Sequence, residues 1–574
     1  MKRLIAIGFA VAACWSAAAQ TSFDRAAGGL LIGRDVMTPA DLLELTQSQF
    51  NFGTARAMAM AGAFTSLGAD VSSMAINPAG LGMYRKSEVS LTPMLSFSRS
   101  ATADTEADGR NTSGRFSFAN FGVVVNLVNN SKGLVSLSLG VGYNRIADFN
   151  YNYAFRRQGQ AASVADVFAR QLAWSGASKN DFYDNGGSGN WNWDRISPDL
   201  WNNALAYRAY MVDQTDPANP ESWSPTWIGD SADVGHYTNV KSRGSVGEFD
   251  ISVGANIENI FYIGATLGIQ SIHRKLYVDY AEDYVYADPS AANPPYGTDP
   301  ALDYQLLYAR LNQATVAQGA GVNFKVGMVL RPIPGLRLGL AVHTPTYYSV
   351  DWKFQTSAAS MAYANRDTDP VVHPDADGYI SSGTTNMTSP LLFDESPYGW
   401  SFSSPTRLLT GVSYTFGQRA LLSVDYERDW YGGVRLDENP LGSSFRSDYR
   451  QTIRDTFRAV NVVRVGTEFK VAPIFAVRAG FGYSGSILRN EQSVPASPVI
   501  KSTTYFGAGV GYTSRRGGFS LDLAYQYMRH TSTDYYLFYI SEEYPDGSTG
   551  FAESSLYRTK FARHHVALTL GFRF

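Results

Sequence analysis

Cysteine is nearly absent from this chain: Cys14 is the single one in 574 residues. Beyond it, no disulfide framework, thiol nucleophile or cysteine metal site is available. Also missing is any apolar run of about twenty residues, the length a membrane-spanning helix needs. Charge of neither sign is in excess, since 48 lysines and arginines nearly balance 51 aspartates and glutamates. Nucleic acid is therefore not an expected partner.

What is present begins with Lys2 and Arg3, an apolar stretch from Leu4 to Ala13, and Ala17-Ala18-Ala19 before Gln20. That is the layout of a secretory signal peptide, residues 1–19, cleaved after Ala19. Val11-Ala12-Ala13-Cys14 also resembles a lipoprotein cleavage box, which would instead leave a lipidated Cys14. The chain carries 35 tyrosines and 53 glycines, with aromatics at 13%. An exported, Tyr- and Gly-rich chain without long apolar runs fits an all-β fold, a transmembrane antiparallel β-barrel. A large soluble β-protein is the alternative.

Phase tests the barrel reading, because barrel strands alternate lipid-facing apolar residues with small or polar lumenal ones. Val135, Leu137, Leu139, Val141 and Tyr143 alternate with Ser136, Ser138, Gly140, Gly142 and Asn144. Phe249, Ile251, Val253, Ala255 and Ile257 do so against Asp250, Ser252, Gly254 and Asn256. Applied throughout, the template predicts about 14 strands, at 88–98, 116–128, 134–144, 247–257, 260–271, 319–330, 335–346, 406–416, 420–430, 460–470, 474–484, 504–513, 519–528 and 563–574. Their links alternate between short turns, such as Glu258-Asn259, and long segments, notably 145–246, 272–318 and 347–405. Short periplasmic turns and long extracellular loops place both ends of an even-stranded barrel, residues 88–574, in the periplasm. Val566, Leu568, Leu570, Phe572 and Phe574 alternate to the last residue, resembling the signal read by the barrel-assembly machinery.

Residues 20–87 do not follow this pattern and read as a compact plug inside the barrel. They contain Gly53-Thr54-Ala55-Arg56-Ala57-Met58-Ala59-Met60-Ala61-Gly62-Ala63, then Asp70, then Asn77-Pro78-Ala79-Gly80-Leu81. Asn77-Pro78 initiates a turn, because proline fixes its own φ and excludes helix from the residue before it. This order resembles the N-terminal hatch of the FadL/TodX outer-membrane fatty-acid and hydrocarbon transporters. Further matches are Leu336-Arg337-Leu338-Gly339-Leu340, Ser404-Pro405, Asp425 and Val477-Arg478-Ala479-Gly480-Phe481. The resemblance implies a fourteen-stranded barrel blocked by its hatch. It also implies passive uptake of small hydrophobic molecules such as long-chain fatty acids or aromatic hydrocarbons, caught by outer loops and released through an opening in the wall. Arg56, Met58, Gly62, Asp70, Asn77, Pro78 and Ala79 would form and gate the hatch.

Six tryptophans crowd one loop, namely Trp174, Trp191, Trp193, Trp201, Trp223 and Trp227; a landing surface for apolar ligand is one reading, loop self-packing or contact with lipopolysaccharide the other. Helical spacing of Val164, Val167, Phe168 and Leu172 suggests an amphipathic lid. By phase, Lys325, Arg337, Asp425, Glu427, Arg464, Glu468, Lys470, Arg478 and Asp522 point into the lumen; Arg478 and Arg464 are candidates for a ligand carboxylate, against pairing of these charges with each other and with the plug. Asp181, Asp184, Asn185, Asn190, Asn192 and Asp194 fit no calcium-loop spacing. No cofactor, metal or catalytic residue is expected, because none of the seven histidines shows a serine partner motif. A haem receptor and a polar-solute porin are the competing functions.

Overall fold

The computed structural model describes residues 37–47, 52–103, 105, 110–184, 190–197, 200–226, 232–286, 304–364, 379–381, 398–439, 443–489, 500–543 and 549–574. The signal-peptide reading and Trp227 lie outside them. Fourteen antiparallel strands close into a barrel. They are β1 (Glu88–Thr102), β2 (Arg110–Asn129), β3 (Leu134–Asp148), β4 (Ala232–Ile257), β5 (Phe261–Tyr286), β6 (Tyr304–Ile333), β7 (Leu336–His343), β8 (Arg407–Phe416), β9 (Ala420–Trp430), β10 (Ala459–Ala472), β11 (Phe475–Ser484), β12 (Ile500–Thr513), β13 (Phe519–Ser532) and β14 (Thr559–Arg573). Closure comes from β14 pairing with β1, Phe572 opposite Val89. Phe574 extends that edge, its N–H donating to the Ser87 carbonyl at 3.1 Å while its side chain stays exposed.

Alternation follows the expected phase. On β1, Val89, Leu91, Leu95 and Phe97 face outward and are exposed, while Ser90, Thr92 and Ser96 face the lumen. Eight steps of about 3.3 Å, tilted by about 40°, give this apolar band a height of ~20 Å, close to that of an outer-membrane barrel. Glu258 and Asn259 both adopt positive φ in the tight turn between β4 and β5, as a two-residue hairpin with the twist of its flanking strands requires.

Three strands run much further than the sequence suggests. β4 and β5 have 26 residues each and β6 has 30, so parts of the expected loops 145–246 and 272–318 are wall. Residues Tyr347–Ala364 are likewise a strand, which corrects the loop reading of 347–405. The physical reason is an inversion of phase. Above the apolar band, outward positions turn polar (Asp233, Asn239, Lys241, Lys275, Asp279), whereas inward positions turn apolar (Val234, Val240, Leu276, Val278, Leu311). A template built on lipid-facing apolar residues stops where the lipid stops.

The inward apolar faces of this upper tier receive α-helices. Val164–Ser175 is a helix with a Ser163 capping box, and Val164, Val167, Phe168 and Leu172 are buried with Trp201, Leu205, Val234, Val240, Leu276 and Leu311 in one core. The expected amphipathic helix is thus present.

Candidate functional site

The lumen at membrane level is crossed by Phe52–Tyr84, nearly all of it buried. Thr54 caps a short helix, Ala55–Ala59, by accepting from the Ala57 N–H. Its hydroxyl also donates to Asp70 at 2.9 Å, and Asp70 accepts from the Ser72 N–H. Asp70 thereby ties two turns of the segment together. Met58 is buried with Phe52, Met94, Ala119, Ala524 and Ala567. Gly62 sits at φ +70°, where the chain reverses beside Arg464.

Asn77 acts as a clasp. Its side-chain amide donates to the Thr65 carbonyl at 2.6 Å and to the Met328 carbonyl of β6 at 3.2 Å, and its oxygen accepts from the Ala79 N–H. Pro78 opens the turn Pro78–Met83 and presses on wall glycines. A Cβ at Gly264 would lie 2.4 Å from Pro78, and one at Gly327 would overlap Asn77. The lumenal glycines of β5 and β6 are therefore a fitted floor for Asn77-Pro78-Ala79.

Arg56 reaches Glu468 at 2.9 Å, and the same carboxylate accepts from Arg478 at 2.7 Å. Arg478 is held also by Asp522, and Arg464 by Glu427 and the Tyr505 hydroxyl. Both arginines proposed for a ligand carboxylate are engaged by protein groups, the pairing alternative for lumenal charge. A buried charge stripped of its partner is costly, so these pairs hold the segment to the wall.

Above the segment lies a site that the sequence did not reveal. A second helix, Pro39–Thr46, buries Leu42, Leu43 and Leu45. With Met37 they enter a cluster that includes Tyr348, Trp352, Trp400, Phe402, Tyr449 and Ile453. Its polar side is held by Arg274 of β5, which donates to Asp41 at 3.0 Å and to Glu44. Beside it, a small cavity of about 40 Å³ is bounded by Leu45, Ala75, Ile146, Val246, Tyr348 and Pro405 and by polar groups that include Glu248, Gln270, Asn323, Lys325, His343 and Arg407. Lys325 pairs with Glu248 and, at 3.1 Å, with Asp250. The cavity thus has a mixed polar and apolar lining, and the apolar cluster beside it is filled by the leucines of the helix.

The wall has a seam next to this cavity. Pairing of β2 with β3 runs from Asn129 opposite Ser136 up to Asn120 opposite Asn144, and no higher. Beyond that point β3 turns inward, burying Ile146 to Asn150. Side chains alone bridge the gap among the described residues: from β2, Arg115 donates to Asn150 Oδ1 at 2.7 Å and Asn111 to the Ala154 carbonyl at 3.3 Å. Phe116 and Phe118 face outward at this height, so the seam borders lipid.

The chain is similar in outline to several solved barrels. A FadL homologue of Pseudomonas aeruginosa shares 13% identity with a TM-score of 0.48, the match covering 92% of this chain and 99% of that one. The toluene transporter TbuX of Ralstonia pickettii shares 13% at a TM-score of 0.44 over 91% and 98%. For the toluene transporter TodX of P. putida the values are 12%, 0.44, 91% and 98%. A shared ligand does not follow from such likeness. No family model and no curated protein matches the sequence.

Other expectations fare unevenly. Trp191 stacks edge-on with Trp193 and Tyr183, and Trp193 with Trp201, while Trp201 and Trp223 are buried. Trp191, Trp193 and Trp201 thus pack on one another, and Trp174 and Trp223 against the same core. No group of three or more metal-ligating side chains occurs among the described residues. One pair corrects the search for serine partners: Ser96 lies opposite His565 across β1 and β14, with Oγ 2.8 Å from Nδ1. Cross-strand register, invisible in the linear sequence, creates it. Phe52 packs edge-on against that imidazole at 5.0 Å.

Proposed function

We propose that the chain is a passive outer-membrane passage for small hydrophobic molecules such as long-chain fatty acids or aromatic hydrocarbons. The observation that carries this reading is the apolar lumenal cluster of Tyr348, Trp352, Trp400 and Phe402, against which leucines of the protein's own Pro39–Thr46 helix pack. Burying those leucines inside a membrane protein's lumen is favourable only if their surroundings are apolar; about 25 cal/mol per Å² then favours any hydrophobe of similar shape. Ligand enters from the extracellular tier, displaces the helix from Arg274, and leaves through the seam between β2 and β3 into lipid. Phe52–Tyr84 serves as the hatch, with Arg56, Asp70 and Asn77-Pro78-Ala79 fixing its fold and Met58 and Gly62 its packing. Phe574 is the mark for assembly into the membrane.

Uptake by proteoliposomes of labelled palmitate, toluene, haem and sucrose in parallel tests the reading. Palmitate or toluene entering well above protein-free vesicles, with sucrose excluded, is the expected result. Entry of sucrose would establish a porin, and selective entry of haem a receptor.

A further inference from the structure

We propose that the outer face of β13, β14 and β1, at the extracellular edge of the membrane band, binds the phosphates of an outer-leaflet saccharolipid of the lipid A type through Arg99, Arg529 and Lys560. This rests on the outer-membrane reading and adds a lipid-recognition site to it.

Register fixes the arrangement. Tyr527, His564 and Phe97 form one outward row across the three strands; Arg529, Ala562 and Arg99 form the next row up; Lys560 stands in the row above, beside Ala101. Neighbouring strands are ~4.8 Å apart, so the two arginines start ~10 Å from one another. Between them lies no more than the methyl group of Ala562. Two guanidiniums flanking a small residue leave a recess that a phosphate can enter from the lipid side, with the ammonium above as a third contact.

Depth agrees with this occupant. Tyr525 and His564 are joined at 2.7 Å, and the rings of Tyr527 and His564 lie 5.1 Å apart. Such aromatic girdles mark the headgroup level of barrel proteins. One row further out is ~6.7 Å along the strand, which puts the cations among phosphates rather than acyl chains.

Among the described residues the side chains of the three cations have no hydrogen-bond or ion-pair partner. Arg99, Arg529 and Lys560 are exposed, and no carboxylate pairs with them among the described residues. Several other outward cations are engaged: Arg310 with Asp279 at 2.9 Å, Arg156 with Asp283 at 3.1 Å, Arg428 with Asn461 at 3.3 Å. Three like charges within about a Debye length repel one another, and a bound anion removes that cost. Arginine is the side chain suited to phosphate, through its planar fork of donors.

The test uses full-length protein in phosphatidylcholine vesicles doped with lipid A, with dephosphorylated lipid A, or with no dopant plus inorganic phosphate. Lipid retained after gentle detergent extraction is then read by mass spectrometry. Wild type is expected to keep phosphorylated lipid A, and R99Q/R529Q/K560Q to keep at least about tenfold less. Lys241→Gln, an outward cation elsewhere, should match wild type. Heat-modified gel mobility reports whether the triple variant is folded, and the single variants R529Q and R99Q, each losing part of the binding, serve if it is not. Equal retention by wild type and folded variant, retention indifferent to dephosphorylation, or full competition by millimolar inorganic phosphate would overturn the proposal. Failure of wild type to float with any vesicle would instead overturn the membrane reading itself.

Discussion

Within one strand, β4, the two halves of the molecule follow opposite rules. At membrane level Phe249, Ile251 and Val253 point outward, and Asp250 and Ser252 are buried within; above it Lys241, Asn239 and Asp233 point outward, and Val240 and Val234 are buried within. Period two continues without interruption across Gly247 and Glu248, yet the apolar face changes sides. The common cause is that apolar side chains go wherever water is absent: to lipid below, and above to a core shared with helix Val164–Ser175 and the packed tryptophans. Lower down, the dry interior is instead closed by ion pairs and by glycines fitted to Asn77 and Pro78. One barrel thus joins an inverted membrane protein to an ordinary globular domain, and the apolar cluster around the Pro39–Thr46 helix lies at their junction.

Substitutions can break this contrast. The largest effect is expected inside the upper tier, where Leu276→Ala removes part of a packed core and should cost about 2–5 kcal/mol in equilibrium unfolding. Outside the lower tier, Val253→Arg should cost about 2–4 kcal/mol by placing a charge in hydrocarbon. Gly264→Val should cost about 1–3 kcal/mol through overpacking against Pro78, and raise single-channel conductance by unseating the segment. Acid should act on the upper tier: burial holds the His236 imidazole down to about 4, so below about 6.5 the unfolded chain takes up a proton that the folded one refuses. Stability is therefore lost as pH falls from about 6.5 to 4. Glu282, raised by burial, has the opposite sign, since its penalty grows as pH climbs above the usual carboxylate value. Thermal melts of His236→Gln should lack the His236 slope. Smallest of all, Asn239→Arg on the outside of the upper tier should change stability by no more than about 0.5 kcal/mol; a loss like that of Val253→Arg would erase the distinction between tiers.

All fourteen strands were legible from phase and turn chemistry, because lipid imposes a regular outward pattern and tight turns require particular residues. Their upper reaches were not, since the same alternation there has the reverse meaning. Arg56, Asp70 and Asn77 were visible as a motif, but their partners Glu468, Thr54 and the Met328 carbonyl come from register and from chain crossings. Arg274 and the Pro39–Thr46 helix were missed. Thr38, Pro39 and Asp41 do carry a helix-start signal, while nothing in eight residues tells which wall they will meet. The tryptophan cluster left a landing surface and self-packing both open, because composition does not show whether aromatic rings stack on each other.

Photolabelling with a long-chain fatty acid bearing a terminal diazirine, followed by peptide mass spectrometry, tests the central claim most directly. Labels on Tyr348, Trp352, Trp400 or Phe402, competed by excess unlabelled fatty acid and accompanied by increased protease cleavage at the Pro39–Thr46 helix, are the predicted result. Labels confined to lipid-facing residues such as Ile251 and Val253, with that helix still protected, would contradict it.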